Sequence, residues 1–229
     1  MIRRLALKTN KTIFHRFFIV GFMVLFMCSC ANVQRTKVKL GPVSSFPIAQ
    51  RYVIAAVPFQ YKAEQEQYKS LSNKLVDLTI DELLKTGRFR VLERSRIDAI
   101  LQEIQLSQMG IIDEAVANQI GKQLGAEMVL VGILTAIKPI KKRDSLGIVW
   151  QETSGFEVSL QGRLINIKTG EIVVTAKATG MESQQKKMAF GAKTAVAVAE
   201  ETLLNRAAET ATKILIHNLS SQISPKTNP

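Results

Sequence analysis

The apolar positions of this chain recur with different periods, and each period predicts a different element. Near the N-terminus, Phe17-Phe18-Ile19-Val20-Gly21-Phe22-Met23-Val24-Leu25-Phe26-Met27 forms one apolar run, preceded by basic residues up to Arg16. Its length is that of an export signal rather than a membrane span. From Asn32 to Gln50 the sequence is polar and basic, with Gly41-Pro42 and Phe46-Pro47 and no sustained period, which reads as a tether. Tyr52-Val53-Ile54-Ala55-Ala56-Val57-Pro58-Phe59 is a continuous apolar run ended by proline, the pattern of a strand covered on both faces. Leu71, Leu75, Leu78, Ile80, Leu83 and Leu84 then recur at helical spacing, with Gly87 where a C-terminal cap belongs.

Phe89-Arg90-Val91-Leu92-Glu93 predicts a second, short strand. Ser95 caps a helix carrying Ile97, Ile100, Leu101 and Ile104 on one face. A further helix runs from Asp113 through Ala117, Ile120 and Leu124 and is closed by Gly125, before the buried strand Met128-Val129-Leu130-Val131-Gly132-Ile133-Leu134. The last third changes character. Phe156, Val158, Leu160 and Leu164 alternate with polar residues, Lys168-Thr169-Gly170 supplies a turn, and Ile172, Val174, Ala176 and Ala178 continue on a partner strand, so that a hairpin is expected. Ala-rich sequence from Met188 to Leu219 predicts one long helix or two, with Ala192, Ala195, Val196, Ala199, Leu203, Ala207, Ala211, Ile214 and Leu215 on one broad face that docks on the protein's own sheet or on another subunit.

The order strand-helix-strand-helix-helix-strand-hairpin-helix predicts a mixed α/β fold: a helix-flanked sheet with a long C-terminal Ala-rich helix. The expected division is a signal peptide over 1–29, a lipidated N-terminus and tether over 30–50, one periplasmic domain over 51–220, and a disordered tail over 221–229.

Composition narrows the class. Hydrophobic residues at 46% and charged residues at 22% are ordinary for a globular domain. The net charge of +12 is partly a property of the leader, which holds Arg3, Arg4, Lys8, Lys11 and Arg16. The dense basic clusters beyond it are Lys138, Lys141, Lys142 and Arg143, and Lys186-Lys187. So modest a basic surface fits solvation or attraction to anionic headgroups, and no nucleic-acid partner is expected.

Candidate chemistry centres on one residue. The stretch Met27-Cys28-Ser29-Cys30-Ala31-Asn32 resembles a lipobox, in which a small residue precedes the cysteine that is diacylated before cleavage. Cys30 fits because Ser29 is small, whereas Met27 would be bulky before Cys28. The competing readings are an anchor helix or a disulfide pair, but no cysteine follows Cys30 and the two lie too close to staple a fold. By the same resemblance, Ala31 after the cysteine favours the outer membrane.

Elsewhere the raw material for catalysis is thin. Outside the leader the histidine is His217, read as a polar residue near a helix end. Gly121-Lys122 is a fragment of a phosphate-loop pattern, but there is no glycine five residues earlier and Gln123 replaces the magnesium-binding hydroxyl; Gly121 and Gly125 read instead as helix-ending glycines. Asp77, Asp81 and Glu82 share a helix face opposite the leucines and read as solvated. No enzyme, cofactor or metal site is expected.

Several segments resemble the CsgG family of curli production and secretion lipoproteins: the strand ending in Val57-Pro58-Phe59; Leu83-Leu84-Lys85-Thr86-Gly87-Arg88-Phe89-Arg90-Val91-Leu92-Glu93-Arg94; Ile97 to Glu103; Ile120 to Glu127 with Val131-Gly132; and Arg163 to Val173. Their order spans Arg51 to about Leu219. The resemblance implies a periplasmic α/β domain, lipid-anchored at the periplasmic face of the outer membrane.

In the family's channel, each subunit donates two long hairpins to a shared barrel. Here the corresponding Gly132–Arg163 segment carries Lys138, Lys141, Lys142, Arg143 and Asp144 where a lipid-facing band would lie, and Gly180–Ala195 is short with Lys186 and Lys187. Gln60–Tyr68 does not match the channel's constriction loop, so no pore residue is assigned. The expected function is a channel subunit or accessory of a curli-type assembly and secretion system, a homo-oligomer or the partner of an envelope protein, with secreted protein as cargo. The alternative is a non-pore adaptor that binds or activates an envelope protein such as a peptidoglycan synthase.

Overall fold

The computed structural model describes residues 32–36, 39–103, 114–146, 149–189, 192–193 and 198–227. Strand β1 (Asn32–Arg35) is followed by β2 (Tyr52–Ala56), β3 (Gln60–Tyr61), helix α1 (Leu71–Thr86), β4 (Phe89–Val91), α2 (Arg94–Glu103), α3 (Glu114–Leu124), β5 (Met128–Leu146), β6 (Val149–Asn166), β7 (Ile172–Ala189), β8 (Ala192–Lys193) and α4 (Glu200–Ser221). They form one sheet of order β1-β7-β6-β5-β2-β4, with β3 beside β5 and β8 beside β7. β2 runs parallel to β4 and β5, while β5, β6 and β7 form an antiparallel meander. The predicted helix-flanked α/β sheet is the fold observed.

Each face of the sheet has its own apolar core. On one side Ile54, Met128, Leu130, Leu134, Val158, Leu160 and Leu164 pack with Leu75 and Leu83 of α1 and with Leu203, Ala207, Ala211 and Leu215 of α4. On the other, Ala55, Val129, Val131 and Ile165 meet Ile97 of α2 and Ala117, Ile120 and Leu124 of α3. Residues that alternate along β2 and β5 therefore serve opposite cores, which is why those runs are apolar throughout.

The caps are as expected. Gly87 ends α1 at φ +64°, Gly125 follows α3 at φ +67°, and Gly170 makes the β6–β7 turn at φ +74°. Gly121 differs from expectation: it lies within α3, and a Cβ there would stand 2.1 Å from Ile167 Cδ1, so its role is close helix–sheet contact rather than helix termination. α4 lies on its own sheet, as the small-residue face suggests. A Cβ on Gly180 of β7 would fall 2.2 Å from Ala207 O and 2.4 Å from Ala211 N, against helix backbone that cannot move aside cheaply.

Three boundaries depart from the sequence reading. The predicted helix from Met188 starts instead at Glu200, because Met188 and Ala189 continue β7 in register with Trp150 and Val149, and Ala192–Lys193 returns beside them. Ladder bonds to β6 override the helix preference of alanine there. The hairpin of the last third is the outer part of a meander whose β5–β6 pairing runs unbroken to Leu146 and Val149, apart from a bulge between Leu134 and Ala136. Ile104 and Asp113 lie outside the described residues, and α2 starts one residue before Ser95.

Both ends of the domain are also more ordered than a tether and a tail. Phe46 is buried. The guanidinium of Arg88, buried behind β4, stacks 4.4 Å above the Phe46 ring. Its Nε donates to Ser44 O at 2.8 Å, and its Nη1 to Ser220 O and Ile223 O, each at 2.7 Å. Arg88 thus adds a charged donor to carbonyls at and just beyond the end of α4, where the helix dipole favours a cation, and ties them to the N-terminal segment. Burial pushes its pKa down from the ordinary arginine value.

Beyond α4, Ile223 is buried and Lys226 reaches Glu127, whose second oxygen accepts the Val53 N–H at 2.8 Å. Burial pushes the Glu127 carboxyl up, but the Lys226 ammonium, the Val53 N–H and the Arg90 charge outweigh it and hold the group below the usual carboxylate range. A depressed carboxyl pKa stabilises the docked tail above the free value of about 4.3 and loses that contribution as pH falls through the docked value. Limited proteolysis of the tail should therefore quicken as pH drops below about 4.3, and Lys226→Ala should abolish most of that dependence.

Candidate functional site

The meander outgrows the helices that cover it. α4 reaches along β7 as far as Glu182 and Gln184, and beyond the row Pro139–Phe156–Glu182 the three strands continue as an extension flanked by β1 and β8. Three features of the extension bear on function: a buried carboxylate at its root, the N-terminal strand at its edge, and a cationic band near its end.

At the root, the row Val174, Ala176, Ala178, Gly180, Glu182 and Gln184 alternates onto the face covered by α4. Glu182 is 0% exposed. Its Oε1 takes the Nε–H of Arg35 at 2.9 Å and lies 3.7 Å from Nη1 of Arg206, while its Oε2 has no partner. Gln184, equally enclosed, treats the chain before α4 as a strand: Nε2 donates to Val198 O at 2.9 Å and Oε1 accepts the Val198 N–H at 2.8 Å. These two side chains fix where α4 begins and where β1 lies.

β1 runs antiparallel to β7, with Arg35 opposite Glu182 and Asn32 opposite Gln185. Thr36 completes the pairing: its N–H donates to Met181 O at 3.1 Å, and its Oγ1 accepts the Met181 N–H at 2.9 Å. Followed toward the N-terminus, the chain therefore heads for the far end of the extension. Cys30 lies outside the described residues; it precedes Asn32 by two residues, a reach of about 7 Å.

Near that end the charges form a cross-strand ladder. Arg143, Glu152 and Lys186 are successive partners across β5, β6 and β7. Lys138 pairs with Glu157 at 3.3 Å and Lys142 with Asp144 at 3.3 Å, while the Arg143 guanidinium lies 3.7 Å above the Trp150 ring. On β5 one face presents Pro139, Lys141, Arg143 and Ser145, the other Lys138, Ile140, Lys142 and Asp144. Neither face is an apolar row.

The remaining candidates are structural. His217 Nε2 donates to Gly41 O at 2.8 Å, pinning the N-terminal segment to α4 rather than facing a cleft. Asp77 pairs with Arg94 at 2.5 Å and Glu82 with Lys85 at 2.6 Å, and Asp81 is exposed, so two of the three carboxylates are ion-paired and the third faces solvent. Lys122 is exposed on α3. A cleft of about 360 Å³ beside α3 is lined by Gln60, Lys62, Ala115, Val131, Ile133, Gln161 and Arg163. Among the described residues no cluster of His, Cys, Asp and Glu is placed to hold a metal.

The buried Arg88 and the pairs Glu182 with Arg35 and Glu127 with Lys226 are given no role in the sequence reading. Glu182 alone carried a signal: it falls on the same period-two row as Val174, Ala176 and Ala178, so that continuing the strand would have placed it inside.

The sequence model of the family described as "Curli production assembly/transport component CsgG" matches residues 39–228. Comparison with curated proteins returns no match. Among solved structures, the LpoB C-terminal domain from Salmonella enterica aligns with TM-score 0.40 and 15% identity, covering 59% of this chain and 86% of that one. The PelC dodecamer from Paraburkholderia phytofirmans aligns with TM-score 0.37 and 11% identity over 84% of this chain and 99% of that one. Lipoprotein GNA1162 from Neisseria meningitidis gives TM-score 0.35 and 11% identity over 71% and 97%.

The enclosed carboxylate makes the docking of β1 measurable. Arg35→Ala removes the close partner of Glu182 and should cost about 1–3 kcal/mol in urea unfolding, less than for a fully enclosed pair because the arginine is partly solvated. In an Arg35→Ala/Glu182→Gln double variant the charge is gone and most of the loss should be recovered. Additive losses would show that the pair does not hold the strand.

Proposed function

The chain belongs to the CsgG family, and from that premise we propose that it is a lipid-anchored accessory component of an envelope secretion or assembly system, without a pore of its own. Acyl chains on Cys30 hold it at the periplasmic face of the outer membrane, and the sheet domain meets a second copy or another envelope protein. The carrying observation is the extension. A strand that crosses a bilayer needs about 9–11 residues with one apolar row toward lipid, and β5 beyond Ile137 offers charged side chains to both faces.

The channel-subunit reading has one observation in its favour. β5 and β6, at 19 and 18 residues, are longer than the covered sheet requires. An adaptor for an envelope protein such as a peptidoglycan synthase shares the poreless mechanism and differs in its partner.

Two measurements test the proposal, the first its lipid anchor and the second the absence of a pore. Replacing Cys30 with Ala should abolish incorporation of radiolabelled palmitate; persistent labelling would mean that another residue is acylated. Protein extracted from outer membranes should give no step conductance in planar bilayers and no large rings in micrographs. Stable conductance would replace the accessory reading with the channel.

A further inference from the structure

We propose that the open edge of β7 between Thr175 and Thr179 is a strand-addition site, where an extended acidic segment of another envelope protein pairs in line with β1. The inference deepens the reading of this domain as one that meets an envelope protein. It stands on the sheet alone and is independent of Cys30 and of any pore.

The direction of the backbone groups carries it. Met181 turns its N–H and C=O away from β6: Thr36 Oγ1 accepts the N–H at 2.9 Å, and the Thr36 N–H donates to the C=O at 3.1 Å. Along an antiparallel ladder that direction alternates, and the β6–β7 register runs without a shift from the Leu164–Val174 pair to the Val149–Ala189 pair. Thr175, Lys177 and Thr179 therefore point the same two groups outward. The β1 ladder ends at the Arg35–Glu182 pair, and among the described residues no strand lies beside these three. All three are exposed. A row of open donors and acceptors is a template for a further strand, and β1 is one such strand already in place on the same edge.

The edge is not blunted as exposed edges usually are. From Val173 to Met181 it has no proline and a single charge, Lys177, while Val173, Val174, Thr175 and Thr179 favour extended chain. Ile172 and Val173, at 47% and 45% exposure, add an apolar foothold where the strand begins.

Charge selects the occupant. Lys177 lies in the middle of the edge, Arg163 is the β6 partner of Thr175, and Arg35 stands at the upper end with its side chain 57% exposed. The carboxylates of these rows are already matched, Glu182 with Arg35 at 2.9 Å and Glu157, opposite Met181, with Lys138 at 3.3 Å. Cations thus outnumber carboxylates along the edge. An acidic strand answers that excess, whereas a second copy would bring another Lys177 to it.

The test follows hydrogen–deuterium exchange of the full chain in neutral detergent, alone and with saturating synthetic peptides. One peptide alternates valine with glutamate over about six residues, the length of an ordinary strand, and its counterpart carries lysine in place of glutamate. Expected is fast exchange of the Thr175, Lys177 and Thr179 amides in the free chain, and protection by the glutamate peptide only. Thr179→Pro removes an outward N–H, leaves the β6–β7 ladder and the Lys177 charge in place, and should weaken binding about two- to tenfold. Lys177→Glu should reverse the preference between the peptides. If the proline variant fails to fold, a glutamate peptide N-methylated at alternate residues makes the same test on the native chain and should not protect.

No protection by either peptide, equal protection by both, or binding that survives N-methylation would overturn the site. Protection of the same amides that grows with protein concentration, without peptide, would assign the edge to a second copy and overturn the acidic partner. Each of these outcomes leaves the lipid anchor and the absence of a pore to palmitate labelling and conductance.

Discussion

A carboxylate shut away from water must be paired, and Glu182 places that constraint at the centre of this molecule. It lies under α4 at the point where the sheet outgrows its helical cover, and its close cation comes from Arg35, at the far N-terminal end of the domain. Arg206 of α4 lies near the same oxygen. One side chain thus positions the edge strand, the helix and the strand between them. Leaving it unpaired costs more than an exposed ion pair returns, so β1 is held in one register. That register decides which end of the protein the N-terminus leaves from, and hence which end an N-terminal lipid draws toward a membrane.

The two chain ends are joined by a comparable logic at the opposite pole. Arg88 has five donors in a fixed fork and spends them on carbonyls from Ser44, Ser220 and Ile223, with Phe46 against its flat face. The segment before β2 and the segment after α4 are therefore closed onto the same residue of the Leu83–Arg94 stretch that carries the family resemblance. A lysine there could not reach three carbonyls in different directions. Membership of the CsgG family and the burial of Arg88 together give this stretch a structural purpose independent of secretion.

The covered half of the fold was legible because burial writes itself into the sequence. β2 and the start of β5 are apolar on both faces, α1 shows its leucines at helical spacing, and Gly87, Gly125 and Gly170 mark turns that require positive φ. The extension was not legible. Both of its faces carry polar side chains, so no period survives, and Lys138, Lys142 and Arg143 give no strand signal of their own until Glu157, Asp144 and Glu152 are seen beside them. The start of α4 was misplaced for the converse reason: alanine favours helix locally, but Met188 and Ala189 are claimed by ladder bonds to β6. Arg35–Glu182 and Lys226–Glu127 join residues far apart in sequence, and single-chain periodicity carries no trace of such pairs.

The proposal that the extension does not cross the membrane is tested most directly by cysteine scanning along β5 from Lys138 to Ser145 in the full chain within native membranes. The chain's own cysteines, Cys28 and Cys30, fall on the proposed reading in the leader and at the acylation site, so introduced thiols would stand alone. Expected is reaction of a membrane-impermeant maleimide at consecutive positions on both faces, since both lie outside the hydrocarbon. Protection at every second position would mean that one row of β5 faces lipid, and would contradict a domain that is held at the membrane without crossing it.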